Sequence, residues 1–234
     1  MKVAIMQPYF FPYIGYFQLI QQSDVFVIYD NIEYTKKGWI NRNRILVNEK
    51  EDLISLPLKK DSDTLHVNQR FLSDSWSTDK IKLLNKVRTN YSKAPFFSET
   101  YPLFDRCINA QHANLFDFLF FSIEQICIHL GIKTKLVVSS TINIDHTLKA
   151  EKRVKAICSK IDGTTYINPI GGTALYDKTD FEEEGIQLFF LKTNNIVYPQ
   201  FKNEFIPFLS ILDVMMFNSK ENIKEYLNTG FSIV

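Results

Sequence analysis

The sequence has little of what marks several large classes of protein. Its 234 residues include only three cysteines and four histidines, and 27 Lys and Arg almost balance 26 Asp and Glu. A net charge of +1 gives no overall attraction for nucleic acid or a membrane surface, so we expect neither as a partner. Cys107, Cys127 and Cys158 lie far apart, and neither they nor the histidines have metal-ligand spacing. The sequence therefore predicts neither disulfides nor a metal site.

Long apolar runs are also missing. The most apolar stretch, near residues 116–121, contains Asp117 and is followed by Glu124, so it is too short to cross a bilayer. Gln7, Pro8 and Pro12 interrupt the apolar N-terminus, unlike the core of a signal peptide. We expect a soluble cytoplasmic protein, since reducing conditions keep such thiols free.

Short apolar runs alternate with helical patterns along the chain. Runs at 3–6 and 24–30 flank a helix that begins near Pro12, and this strand–helix–strand unit is typical of parallel sheets. Residues 45–47 and 53–58 flank an acidic turn, which predicts a hairpin at a sheet edge. Further strands are predicted at 135–138, 165–167 and 186–191, and helices at 80–91, 113–130, 150–161, 211–217 and 220–227.

The alternation predicts one α/β domain over 1–234, with a mostly parallel, doubly wound, Rossmann-like sheet and a helical C-terminal annex over 200–234. Ligands of such sheets bind beyond the carboxyl ends of the strands. This rule selects the loops at 7–13, 30–44, 139–146 and 168–176, which also hold most of the unusual polar residues.

The first loop and helix carry the sequence QPYFFPYIGYFQLI. Their layout resembles nucleotidyltransferase-type proteins, where a His-x-Gly-His motif at the helix start holds phosphates. Tyr13 and Tyr16 stand in place of the histidines around Gly15, and a phenol cannot supply the positive charge of an imidazolium. The sequence therefore predicts the scaffold of these proteins but not their standard nucleotidyl-transfer reaction. The alternative is an aromatic helix start that packs into the core, with Gly15 at a helix crossing.

The other three loops supply the remaining candidates. The basic loop suits a diphosphate or an acidic substrate, and Trp39 argues against a merely solvated loop. The serines suit a phosphate cradle or a structural cap, and the paired glycines allow close approach of a ligand or a tight turn. The residues concerned are Lys36, Lys37, Asn41, Arg42 and Arg44 in the second loop, Ser139 and Ser140 in the third, and Tyr166, Asn168, Gly171, Gly172 and Tyr176 in the fourth.

Four segments together resemble the WbqC-like family of bacterial proteins, namely MQPYFFPYIGYFQLI, DVFVIYDNIEYTKKGWINRNRI, TTYINPIGGTALYD and FIPFLSILDVMMFN. The resemblance implies an accessory enzyme of surface-polysaccharide (O-antigen) and nucleotide-sugar pathways. The matching motif residues are Gln7, Pro8, Pro12, Gly15, Tyr16, Asp30, Asn41, Arg42, Tyr166, Gly172, Tyr176, Ser210 and Asp213. A spacing of three residues between Ser210 and Asp213 also fits a helix cap.

From the loops and the resemblance we expect a transferase that moves an acyl or aminoacyl group to an activated amino sugar. Arg42, Arg44 and Lys36 or Lys37 would hold phosphate, and Tyr16 and Gln7 would orient the sugar or acyl donor. Tyr13 is a further predicted substrate contact, and Asp30 and Tyr16 are the predicted catalytic residues. Asp30 would be the general base.

Two alternatives stay open. One is a nucleotidyltransferase-like enzyme with the His-to-Tyr first loop, and the other is a non-catalytic protein that binds a nucleotide sugar or scaffolds glycan assembly. ATP or an acyl or aminoacyl donor is the expected co-substrate. The 20 Phe and 11 Tyr residues are numerous enough to include a homodimer face.

Overall fold

A computed structural model describes residues 1–62, 64–202 and 204–234. The first half of the chain forms β1 (Lys2–Met6), α1 (Ile14–Gln21), β2 (Val25–Ile28), β3 (Arg42–Val47), β4 (Lys50–Ser55), α2 (Trp76–Tyr91), α3 (Phe97–Ile108) and α4 (Leu115–Leu130). The second half forms β5 (Lys135–Val138), α5 (Ala150–Lys160), β6 (Thr165–Pro169), α6 (Lys178–Glu182), β7 (Gln187–Thr193), α7 (Ile211–Phe217), α8 (Lys220–Thr229) and β8 (Phe231–Ile233).

The main sheet has the strand order β5-β2-β1-β6-β7-β8. Neighbours from β5 to β7 are parallel, and β8 is antiparallel to β7. The order runs outward from β1 in one direction through β2 to β5 and in the other through β6 to β8. The switch point therefore lies between β1 and β6, where the crevice of a Rossmann-like sheet is found. The predicted α/β fold class is confirmed.

Both faces of the sheet are buried, because alternate residues of each strand enter different cores. Ala4 and Phe26 pack with α1 and α4 in the larger core. Val3 and Val25 face the other way and pack with Ile157 of α5. This alternation follows from the two-residue period of a strand, and both faces are apolar as a doubly wound sheet requires.

The hairpin at 42–55 lies elsewhere than predicted. β3 and β4 pair antiparallel with each other and form a separate two-stranded sheet. Tyr91 of α2 accepts a hydrogen bond from the Leu46 amide at 2.7 Å, and Lys86 donates to the Leu53 carbonyl at 2.8 Å. The hairpin itself is confirmed, whereas its predicted place at the edge of the main sheet is wrong because these contacts hold it on α2.

Local chemistry sets the ends of α4. The side chain of Asn114 accepts hydrogen bonds from the amides of Phe116 and Asp117, and Gly131 ends the helix with a left-handed φ of 72°. In the described part of the chain, no helix is both long and apolar enough to span a membrane.

Candidate functional site

The loop between β1 and α1 is held by side chains from distant parts of the chain. Asn43 of β3 donates to the carbonyls of Phe10 at 3.1 Å and Phe11 at 2.7 Å. Ser210, just before α7, donates to the Phe11 carbonyl at 2.7 Å. Phe11 needs this support because its φ of 43° lies in the left-handed region that a bulky residue rarely adopts. The loop is therefore a rigid platform beside the switch point.

Tyr16 is part of this platform. Its side chain is buried, and its hydroxyl donates to the Gln7 carbonyl at 3.0 Å. Burial, with the neighbouring Tyr9, raises the pKa of Tyr16 well above its usual value. The hydroxyl therefore stays protonated and fixed at physiological pH, which suits a residue that positions the loop.

Gly15 lets the Tyr13 ring lie against the start of α1. A Cβ atom at Gly15 would come within 2.3 Å of the Tyr13 ring and 2.4 Å of Thr193 Oγ1, at the end of β7. With any residue other than glycine at position 15, the Tyr13 ring and the Thr193 side chain would have to move. The nearest atoms to Gly15 come from the Tyr13 side chain and from Thr193 at the end of β7, and not from a second helix as the alternative predicted.

Two cavities flank the Tyr13 ring. The larger, of about 480 Å³, reaches Thr193 and the residues after β7, and the smaller, of about 180 Å³, is lined by Trp39 and Arg44. Phe208 lines both and meets Tyr13 with ring centroids 6.5 Å apart. We call this surface the aromatic cleft and define it by Tyr9, Tyr13, Trp39, Arg44 and Phe208.

Phe208 is unusual among the cleft residues. It is 65% exposed, and its φ of 59° is left-handed. Such a conformation costs free energy in a non-glycine residue, and strained residues of this kind cluster at ligand sites. An exposed aromatic ring held in a strained backbone at the mouth of a cavity is a candidate ligand contact.

Of the predicted basic residues, Arg44 lines the smaller cavity, and the Arg42 guanidinium also lies over Trp39, 5.8 Å from the ring centroid. The Arg44 guanidinium lies 5.4 Å from the Trp39 ring centroid and pairs with Glu51 at 2.6 Å. Arg42 donates from Nε to the Gly38 carbonyl at 3.0 Å, which braces the loop. Lys37 is exposed beside it, as is Lys36.

Asn41 also braces the second loop. Its Oδ1 accepts from the Tyr34 hydroxyl at 2.7 Å, and its Nδ2 donates to the Leu56 carbonyl at 2.8 Å. Both polar ends of the side chain are thus committed within the protein, and the arrangement suits a structural residue.

Asp30 lies at the end of β2 in a separate polar cluster. It is 3% exposed, and its carboxylate accepts from Asn68 Nδ2 at 2.8 Å, the Ser140 amide at 2.9 Å and Ser139 Oγ at 3.2 Å. The fold thus brings Asp30 together with both predicted serines, because β2 and β5 are parallel neighbours. The oxygens are already occupied, so Asp30 has the environment of a residue that positions these loops.

The fourth loop forms a third group at the end of β6. The buried Tyr166 hydroxyl donates to Asn168 Oδ1 at 3.0 Å, and Tyr176 packs edge-on against the Tyr166 ring. A Cβ at Gly172 would lie 1.8 Å from Asn168 Nδ2, whereas Gly171 is exposed with open space around it. The Asn168 side chain therefore fills the space beside Gly172.

Asp213 belongs to a buried network behind the first loop. Its carboxylate accepts from the hydroxyls of Tyr91 at 2.7 Å and Tyr198 at 2.8 Å, and from Gln200 Nε2 at 2.7 Å. Burial raises the pKa of Asp213, although the three donors act in the opposite direction. Ser210 caps α7 by accepting from the Leu212 amide, so this pair of motif residues fixes α7 against the loop.

Tyr13, Gly15 and Arg44 were predicted substrate contacts and lie at or beside the cleft, whereas Phe208 and the residues that follow β7 were not among the candidates. The end of β7 reads as an apolar strand running into the polar residues Asn194 and Asn195, which gave no distinct signal. Their role follows only from the strand order, because β7 lies next to β6 and contacts α1. Within residues 1–62, 64–202 and 204–234, no three His, Cys, Asp or Glu side chains are grouped to hold a metal ion.

The comparisons with known proteins agree with the resemblance. A model of the WbqC-like protein family matches residues 7–225. The uncharacterized protein Rv1507c of Mycobacterium tuberculosis is 32% identical over 234 residues, which cover 97% of each chain. No solved structure matches the chain. The family match includes the first loop and the side chains of Asn43 and Ser210 that hold it, and the chain therefore belongs to the WbqC-like protein family.

Proposed function

We propose that this protein is a transferase of surface-polysaccharide (O-antigen) and nucleotide-sugar pathways, which adds an acyl or aminoacyl group to the amine of an activated amino sugar. The cytoplasm is the proposed compartment, because the three cysteines are free and buried as in proteins of reducing compartments. A homodimer remains a prediction.

The observation that carries the proposal is the aromatic cleft at the carboxyl edge of the sheet. Rings such as Tyr13, Trp39 and Phe208 offer flat apolar faces, against which the C–H faces of a sugar pack well. Arg44 lines the same cleft, and beside its Nη1 bond to Glu51 its guanidinium carries further donors for a phosphate or carboxylate. Apolar walls with a few fixed polar groups are typical of small-molecule sites.

In the proposed reaction the sugar amine forms a new C–N bond with the acyl carbon. The bond from that carbon to its sulfur or oxygen carrier breaks, and the amine proton passes through a base to the leaving group. Asp30 and Tyr16 were predicted to act here directly. Their burial and existing hydrogen bonds support a positioning role for both. The attacking amine would then lose its proton to a residue of the cleft or directly to the leaving group.

The two alternatives differ in what they require. Nucleotidyl transfer at the first loop needs positive charge at the start of α1, and the Tyr16 hydroxyl there is committed to the Gln7 carbonyl. A binding or scaffold protein needs the same cleft but no turnover. The cleft therefore supports the transferase and the binding protein more than nucleotidyl transfer.

The test is a thermal-shift screen of the full chain with UDP-, dTDP-, GDP- and CDP-amino sugars, ATP and CoA thioesters. Phe208→Ala is the site variant and Ile128→Ala the matched control, because their side chains are 65% and 66% exposed. Truncating either removes a largely solvated apolar side chain, so both variants should fold.

We expect a nucleotide amino sugar to stabilise the wild type and Ile128→Ala, with a much smaller shift for Phe208→Ala. Formation of an acylated product with a donor then identifies the transferase, and binding without product in the presence of every donor class identifies the binding protein. A shift with ATP alone, unchanged by Phe208→Ala, would contradict the proposal.

A further inference from the structure

Arg153 of α5 is a buried arginine whose hydrogen bonds are few. It is 8% exposed, and its guanidinium donates to the Asn31 carbonyl at 3.2 Å and to Asn31 Oδ1. It lies over the Tyr29 ring, 4.9 Å from the centroid. The Nε atom is buried and has no partner. A guanidinium has five N–H donors, so most of the donor capacity of Arg153 is unused.

Arg153 is linked to the Asp30 carboxylate only indirectly, because Asn31 Oδ1 also accepts from Ser139 Oγ at 2.5 Å and Ser139 Oγ lies 3.2 Å from Asp30 Oδ1. Among the residues that the structure describes, no carboxylate forms an ion pair with it. Glu151, in the same helix, is paired with Lys155 at 2.7 Å, and Lys155 also reaches Glu184 at 3.3 Å. A buried cation without a counter-charge is unfavourable, and proteins keep one mainly where a bound anion completes the site.

The start of α5 adds to the positive potential at this place. Lys149 at the N-cap gives no side-chain cap, so the first amides of this 11-residue helix lack a side-chain acceptor. Ala150 has a left-handed φ of 47°, a strained conformation for a non-glycine residue. The start of α5 and the Arg153–Asn31 contact both lie at the carboxyl edge, since α5 follows β5 and Asn31 follows β2.

His146 completes the group. Its Nδ1 lies 3.1 Å from Asn31 Nδ2, so when the ring accepts this hydrogen bond its proton is on Nε2 and is available to a ligand. The cluster of Asn31, His146 and Arg153, which we call the arginine pocket, belongs to the face of the sheet covered by α5. The aromatic cleft is on the opposite face, with α1.

We propose that the arginine pocket binds a phosphate group, with Arg153 supplying the planar guanidinium donors that Asn31 does not occupy and the amides at the start of α5 supplying further donors. The site is independent of the proposed transferase activity. The phosphate belongs either to a nucleotide or to a free inorganic ion, and both present the same oxygens to the pocket.

The test is titration calorimetry of the full chain with inorganic phosphate, pyrophosphate and ADP. Arg153→Met and Arg153→Lys are the site variants. Arg70→Met is the matched control, because Arg70 is also buried, also has an unpartnered Nε and also lies over a tyrosine ring, at 4.7 Å from Tyr34. Arg44→Ala tests whether the anion sits in the aromatic cleft instead.

We expect the wild type and Arg70→Met to bind pyrophosphate alike at this site, and Arg44→Ala to keep the binding that the Arg153 variants lose. Arg153→Met should bind about 10-fold more weakly or worse, and Arg153→Lys should fall between, because lysine keeps the charge and loses the fork. Tighter binding of ADP than of pyrophosphate identifies a nucleotide, and equal binding identifies the inorganic ion.

Three results would overturn the proposal. They are no pyrophosphate binding by the wild type, equal affinity in the Arg153 variants, and loss of binding in Arg44→Ala alone. If Arg153→Met does not fold, Arg153→Lys decides, and an affinity equal to that of the wild type refutes the site.

Discussion

A double-mutant cycle can measure how much the hydrogen bonds from Asn43 and Ser210 to the first loop stabilise the protein. The two side chains come from β3 and from the residue before α7, and both donate to the Phe11 carbonyl at 2.7 Å. Each single alanine variant leaves that carbonyl with one donor, and the double variant removes both. Because the two residues share an acceptor, their effects on stability should not add.

The expected magnitudes follow from the contacts. Asn43→Ala removes three hydrogen bonds, because Asn43 Oδ1 also accepts from the Arg44 amide at 2.8 Å, and it leaves the Phe10 carbonyl without this donor, so the free energy of unfolding should fall by about 2–4 kcal/mol. Ser210→Ala removes one hydrogen bond and a helix cap, at about 1–2 kcal/mol. In the double variant the Phe11 carbonyl loses both donors, and we expect an excess loss of about 1–2 kcal/mol over the sum.

The assay is urea denaturation of the four proteins, followed by far-UV circular dichroism. Sucrose is present in all samples so that the double variant remains folded at the start of the titration. Additivity within about 0.5 kcal/mol would refute the shared acceptor, because independent sites behave in that way.

Three further predictions test other parts of the account. Gly15→Ala should change the free energy of unfolding by less than about 2 kcal/mol, because the higher helix propensity of alanine offsets the cost of displacing the Tyr13 ring. It should nevertheless weaken nucleotide-sugar binding about 10-fold, and an unchanged affinity measured by calorimetry would contradict the packing. Burial raises the pKa of Asp213 above 3.8, so the folded state holds this proton more tightly than the unfolded state, and stability should rise as pH falls through the raised pKa. Asp213→Asn should reduce this dependence of stability on pH in denaturation curves at several pH values, and an unchanged dependence would refute the reasoning. Burial raises the pKa of each cysteine thiol to about 12, so a thiol reagent near pH 8 should label the native protein slowly. All three thiols should react in denaturant, and rapid labelling of the native protein would contradict the burial of Cys107, Cys127 and Cys158.

The layered fold could be predicted from the sequence because strand periodicity and helix signals are local. Apolar runs at 3–6 and 24–30 marked β1 and β2, and Gly131 marked the end of α4. Three of the labelled elements were not predicted. α3 (Phe97–Ile108) contains Pro102, which argues against a helix interior, α6 (Lys178–Glu182) has only five residues, and β8 (Phe231–Ile233) has only three.

The site was harder to predict because it depends on which residues distant segments bring together. A basic loop predicts a phosphate site, but only the structure shows that Arg44 lines the smaller cavity, whereas Arg42 lies over Trp39 with its Nε bonded to the Gly38 carbonyl. Arg153 gave no signal at all, since a single arginine in an amphipathic helix is ordinary. Its burial and its contact with Asn31 arise from the crossover between β5 and β6.

The central claim is that an activated amino sugar binds in the aromatic cleft, and tryptophan fluorescence tests it most directly. The chain has two tryptophans, so Trp76→Phe leaves Trp39 in the cleft as the sole reporter. We predict that a nucleotide amino sugar changes Trp39 emission in a saturable way, with the dissociation constant found by calorimetry. Binding that leaves Trp39 emission unchanged, or no response to any nucleotide sugar, would contradict the account.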